Sequence, residues 1–159
     1  MAGTVFYNAD KADLAIKNRD ELMAHVEASI TNGFYIEATV ILHSMIENYT
    51  YKLLHILNIP YKASDRLFQC MAYLKKHIDE NDIHADLEHI SNEAVAAYFS
   101  KHLFASGLAG AISTWRKERN LIIHDVAIEE LSKERFLLLA AEGKRLFEVY
   151  EEILKGFVS

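Results

Sequence analysis

The chain has little that bends or cross-links a backbone. Its 159 residues include one proline, Pro60, one cysteine, Cys70, and six glycines. A lone cysteine excludes an intramolecular disulfide and any zinc site built from several thiolates of one chain. Cys70 lies in the apolar run Leu67-Phe68-Gln69-Cys70-Met71, where a buried thiol is expected. So few prolines and glycines leave little material for β-turns or flexible linkers. No apolar run approaches the roughly 18 residues that span a bilayer. The amino terminus, MAGTVFYNADKAD, lacks the basic segment and apolar run of a secretion signal. A cytoplasmic protein with no membrane partner is the expectation. Excess positive charge is missing too. Lys and Arg number 17 against 23 Asp and Glu, a formal net charge of −6. That argues against a general nucleic-acid binder coated with basic residues, but allows a nuclease with a small basic patch.

What is present is apolar surface at helical spacing. Hydrophobic residues make up 51% of the chain, ample for one core, and the length suits a single domain over 1–159. Residues 9–31 read as a first helix, with Leu14, Ile16, Leu22, Met23, Val26 and Ile30 recurring and Asn32-Gly33 as its stop. Residues 34–57 form a more apolar second helix, ended by Asn58 and Pro60. Residues 61–90 hold one or two shorter helices, with Ser64-Asp65 capping the first. Residues 92–124 form a long pattern that breaks near Gly107, and 128–157 a last helix, with Leu131-Ser132 as the alternative start and Ser132 then its cap. The count predicts an all-α, up-and-down bundle of about five to six helices.

Chemistry is suggested in one place, residues 115–125, WRKERNLIIHD. Asn120 and His124 are four apart and share a helix face. Arg119 precedes His124 by five residues, roughly 140° around and about 7.5 Å along the helix axis. Its long stem lets the guanidinium swing toward that face. Leu121, Ile122 and Ile123 between them are expected to anchor the turn in the core. A histidine can take and return a proton near neutral pH. An arginine is a permanent cation whose planar fork matches phosphate oxygens. An asparagine offers a donor and an acceptor. A proton shuttle beside a fixed phosphate clamp suits phosphodiester cleavage without metal. Arg116 and Lys117 make a small basic patch beside it, either to steer phosphate or as a solvated helix face.

The segment RNLIIH resembles the Rx4-6H motif of the HEPN family: an arginine, usually a polar residue directly after it, and a histidine four to six positions on. Arg119, Asn120 and His124 fill those slots. The resemblance implies an all-α bundle, commonly a homodimer, and a metal-independent endoribonuclease of the kind found in toxin–antitoxin, phage-defence and CRISPR systems. It implies that two copies of the motif face each other across the dimer and form one composite site on RNA. His124 would then act as base or acid, Arg119 would stabilise charge at phosphorus, and Asn120 would position phosphate or imidazole. It also implies an acidic partner for the arginine on the second helix, for which Glu47 is the candidate, with Tyr51 or Lys52 as its alternative partners; His43, one turn earlier, could join the same polar cluster. No cofactor and no metal is implied.

Two other readings stand beside this one. A non-catalytic HEPN-like module could partner a nucleotidyltransferase or an antitoxin, or bind a nucleotide; the acidic balance favours it. A metal-dependent hydrolase around His77, His84 and His89, with Asp82, Asp86 and Glu88, is weaker. The segment has neither paired Glu-x-x-His nor His-Glu-x-x-His spacing.

Overall fold

The computed structural model describes residues 9–85, 87–125 and 133–158. All regular structure among them is helical: α1 (Ala9–Lys17), α2 (Arg19–Thr31), α3 (Tyr35–Ile56), α4 (Leu67–Asp79), α5 (Asn92–Phe99), α6 (Leu108–Asp125) and α7 (Lys133–Val158). Between α5 and α6, Ser100–Ala105 winds as a wider π-type turn. The described residues thus carry seven α-helices where five or six were expected. The extra one comes from the amino-terminal segment, which is two helices. At Asn18 ψ is 17°, far from the helical value of about −42°. The chain turns there while the hydrogen bonds from Asn18 N–H to Leu14 O and from Leu22 N–H to Asn18 O persist at 3.0 Å. The expected stripe fails on the first half: Leu14 and Ile16 are exposed, whereas Met23 and Val26 of α2 are buried.

The other boundaries follow local backbone chemistry. Gly33, with φ at 81°, closes α2, and Asn58, with φ at 54°, follows the end of α3. Both residue types tolerate the left-handed region. Gly107, with φ at 85°, separates the π-type turn from α6, so the break falls where the small residues predicted it. Ser91 caps α5, its hydroxyl accepting from Ala94 N–H at 3.1 Å. Ser64-Asp65 does not cap α4. The Asp65 carboxylate instead accepts from Lys62 N–H at 2.6 Å and closes the preceding turn. The start predicted for the last helix, residue 128, and its cap Ser132 lie outside the described residues.

The core lies where α3, α6 and α7 meet. Leu42, Met45, Ile46, Leu53 and Leu54 of α3 are fully buried, as are Leu146, Phe147 and Tyr150 of α7 and Trp115 of α6. α3 and α7 run parallel. His43 stacks on Trp115, whose indole N–H donates to Leu139 O at 2.8 Å. Further along, Tyr49 meets Phe147 edge-on at 5.2 Å and Thr50 bonds the Tyr150 hydroxyl at 2.8 Å. α2 runs antiparallel alongside: Arg19 makes a two-pronged bond to the buried Glu151 at 2.8 Å, and Tyr49 adds a third at 3.1 Å. Burial works against the Glu151 charge, but these bonds outweigh it and hold its pKa below the usual carboxylate value. Cys70 is fully buried, and burial, with Asp65 and Glu47 adding to it, pushes its thiol up to about 12. No helix among the described residues is long and apolar enough to cross a membrane.

Candidate functional site

The site is built on α6. Its buried residues are Leu108, Ile112, Trp115 and Ile122, spaced by four, three and seven. The missing member of that four-and-three series is position 119. Arg119 therefore occupies the stripe that faces the core, where the pattern calls for an apolar side chain. It is half-buried, and desolvation lowers its pKa against the opposing pull of Glu47. Its Nη1 donates to Asn120 Oδ1 at 3.0 Å. Its Nε–H is buried and has no hydrogen-bond partner among the described residues.

The turn that follows is less buried than its sequence suggested. Ile122 alone packs into the core; Leu121 and Ile123 are exposed at 60% and 37%. Three consecutive helical residues span about 200°, so one of them faces inward and its neighbours cannot. Asn120 and His124 are exposed on one face, one turn apart. Arg119 and Asn120 are thus bonded to each other, while His124 stands at the carboxyl-terminal end of α6, open to solvent.

Glu47 lies on α3 across from this helix, but it does not bond Arg119. Its carboxylate accepts from Leu67 N–H at 3.1 Å and lies 3.8 Å from Arg66 Nη1. It satisfies one of the free amides at the start of α4, the role expected of Ser64-Asp65. It reaches Arg119 only through space. Tyr51 and Lys52 are engaged elsewhere, with Asp65 O at 2.7 Å and Asp13 at 2.7 Å.

His43, one turn before Glu47, lies against Trp115 with ring centroids 6.4 Å apart and planes at 26°. Burial first, then the charges of Arg119, Arg116 and Arg66, push its pKa down to about 4. The ring is neutral at pH 7. Arg116 is half-buried with its guanidinium 5.1 Å from the Phe68 ring, within cation–π range. Its Nε–H also lacks a partner. Lys117, one residue on, is exposed.

The sequence pointed to α6 and missed what α4 brings to it. Arg66 and Phe68 flank the start of α4 and complete a group of three guanidiniums around His43 and Glu47. An arginine directly before an apolar helical run was the available signal. Beside Arg66 a cleft of about 310 Å³ opens between α1 and α3, lined in part by Lys11, Ser44, Glu47, Asn48 and Tyr51. An apolar hollow of similar volume, against Tyr49, Leu53, Ile56 and Leu154, shares no residue with the site.

The histidine-rich segment forms its own small ion-pair group. His77 lies 3.3 Å and His84 3.4 Å from the Asp82 carboxylate. Among the described residues no group of three or more could hold a metal ion; Asp86 lies outside them. Compared with known proteins, the chain matches no family model, no curated sequence and no solved structure.

Proposed function

We propose that this protein is a metal-independent endoribonuclease of the HEPN type, acting as a homodimer. The observation that carries the reading is Arg119 itself. It is a cation placed on the core-facing stripe of α6, bonded to no carboxylate of the described residues, beside the exposed pair Asn120 and His124. Burying a charge without a bonded counter-ion is costly. The cost is understandable where the cation is kept for a phosphate.

In this reading His124 withdraws the proton of a ribose 2′-hydroxyl, and the oxygen attacks the adjacent phosphorus. Arg119 holds the negative charge that grows on the phosphate oxygens. The 5′-oxygen leaves with a proton from a general acid, for which the second copy's His124 is available in a composite site. The products are a 2′,3′-cyclic phosphate and a 5′-hydroxyl. Asn120 fixes the Arg119 guanidinium through the bond between them. Support for the dimer comes from exposed apolar residues at this end of the bundle. Leu121 and Ile123 of α6 are exposed, and so are Leu137 and Leu138 at the start of α7. In the homodimer of this reading, a second copy packs against this end of α6 and the two His124 side chains meet.

The test is cleavage of single-stranded and hairpin RNA in EDTA, with the product ends identified. The reading expects cyclic-phosphate ends and loss of cleavage in His124→Ala. Cleavage that needs added metal, or that persists in His124→Ala, contradicts it.

A second reading draws on the net charge of −6: a non-catalytic module of the same type that partners a nucleotidyltransferase or an antitoxin. No RNA cleavage at high protein concentration, together with copurification of such a partner, would favour it.

A further inference from the structure

Among the described residues, three buried side-chain polar atoms lack a hydrogen-bond partner: Arg116 Nε, Arg119 Nε and Asn48 Oδ1. Buried polar groups are nearly always satisfied, so each orphan calls for a reason. Arg66 links the three. Arg116 and Arg119 act on His43 together with Arg66, and Arg66 and Asn48 line the same cleft of about 310 Å³. The orphans are complementary in kind, two donors on the arginine side and one acceptor, just beneath the surface, on a residue that lines the cleft. The orientation of Asn48 is set by its own amide, whose Nδ2 donates to Ser44 O at 2.8 Å, so its oxygen is the free end.

Charge and size point the same way. Three guanidiniums act on His43, and two of them, Arg66 and Arg119, also share the carboxylate of Glu47, in a chain whose net charge is −6. With His43 neutral, this quarter of an acidic protein is locally positive. Such local fields draw in anions. Lys11 adds a further cation to the lining of the cleft. A cleft of this volume is at the lower end of the range for small-ligand sites, roughly 300–1,000 Å³. A nucleotide carries both complements. Its phosphate oxygens accept from guanidinium groups, and its ribose hydroxyls and base amines donate.

We propose that Arg66, Arg116 and Arg119 hold a nucleotide phosphate, and that the cleft beside them takes the attached nucleoside, with Asn48 accepting from one of its donors. This deepens the reading of the α6 site and shares Arg119 with it, but it does not require catalysis by His124. A guanidinium turned onto the phosphate takes its Nε–H to an acceptor, and the Asn48 oxygen gains its donor. The phosphate can belong to a free mononucleotide or to a single-stranded RNA.

Binding is measured by calorimetry on the His124→Ala protein, so that no probe is cleaved. The probes are the four nucleoside 5′-monophosphates, the four nucleosides and a single-stranded RNA octamer. At least one phosphate-bearing probe should bind about tenfold or more tightly than the nucleosides. Arg66→Gln should weaken it about tenfold, as the loss of a charge-assisted contact does, and Arg66→Lys should lie between. On the octamer, Arg66→Gln should also reduce the slope of log affinity on log salt by about 0.7, the share of one phosphate contact on a single strand. Asn48→Ala should weaken the same probe, and the His43 ring proton should titrate at higher pH in the complex. A monophosphate that displaces the octamer assigns the site to free nucleotide; octamer binding alone assigns it to a strand. Either outcome supports the proposal. It is overturned if no phosphate-bearing probe binds better than the nucleosides, or if Arg66→Gln and Asn48→Ala bind like the parent. Should Arg66→Gln fail to fold, Asn48→Ala and the His43 titration decide. If the wild type fails to cleave RNA while these results hold, the catalytic reading falls and this one stands.

Discussion

Glu47 acts on Arg119 without touching it: its carboxylate accepts from Leu67 N–H at 3.1 Å and lies 3.8 Å from Arg66 Nη1, and its pull on Arg119 is exerted through space. One carboxylate therefore serves two helices. It caps α4 and moderates the positive charge that α6 brings to the same place.

Replacing Glu47 separates these roles. Glu47→Leu removes the acceptor for Leu67 N–H and should cost about 1–2 kcal/mol in urea denaturation, the range of a lost helix cap. Glu47→Gln keeps an acceptor and should cost less. Both remove the negative charge between Arg66 and Arg119, so both should tighten binding of RNA or nucleotide in low salt. Equal destabilisation by Leu and Gln, or weakened anion binding, would count against the assignment.

His43 makes stability depend on pH. The unfolded chain protonates this ring near the ordinary histidine value of about 6.5, whereas the folded protein refuses the proton until about pH 4. Between these values the unfolded state binds more protons, so stability falls as pH falls through the window and is flat above it. The loss is on the order of 3 kcal/mol. A His43→Gln protein should show a shallower decline from pH 6.5 to 4 in denaturation midpoints. An unchanged slope in the variant would place the pH dependence elsewhere.

Gly143 of α7 exists for Trp115. A Cβ built on it comes within 2.7 Å of Trp115 Cε2, and the indole is pinned by its bond to Leu139 O. Gly143→Ala normally favours a helix. Here it should destabilise by about 1–3 kcal/mol, as overpacking does, and should move His43, which stacks on Trp115. Urea midpoints and the His43 ring resonances report both effects. Gly110→Ala is the control, since a Cβ there meets nothing within 4 Å, and it should be neutral or stabilising.

The sequence made α2, α3, α6 and the core of α7 legible because their apolar stripes are regular and their ends carry residues with clear backbone preferences, Gly33, Asn58 and Gly107. It did not reveal the turn at Asn18, where the apolar pattern continues although ψ changes. The position of Arg119 on the core stripe was also there to be read, as the gap between Trp115 and Ile122. What local pattern could not supply is the meeting of α4 with α6. Arg66, Phe68 and Glu47 are separated from Arg116 and Arg119 by about fifty to seventy residues, and their proximity is a product of packing. The Glu47 cap on α4 is of the same kind. Gln69, whose Oε1 accepts from Arg66 N–H at 2.6 Å, is the local part of that helix start, whereas the acceptor for Leu67 N–H comes from another helix and leaves no signature in the α4 segment.

Arg119→Leu tests the central claim most directly, with denaturation midpoint and RNA cleavage in EDTA measured on the same preparation. An apolar side chain on the core stripe of α6 should raise stability by about 1–4 kcal/mol, as replacement of a buried charge can. Removing the cation that meets the phosphate should lower cleavage by about a hundredfold or more. A protein that is more stable and inactive fits an arginine kept in the core for its substrate. A protein that loses stability, or that cleaves RNA as fast as the wild type, contradicts it.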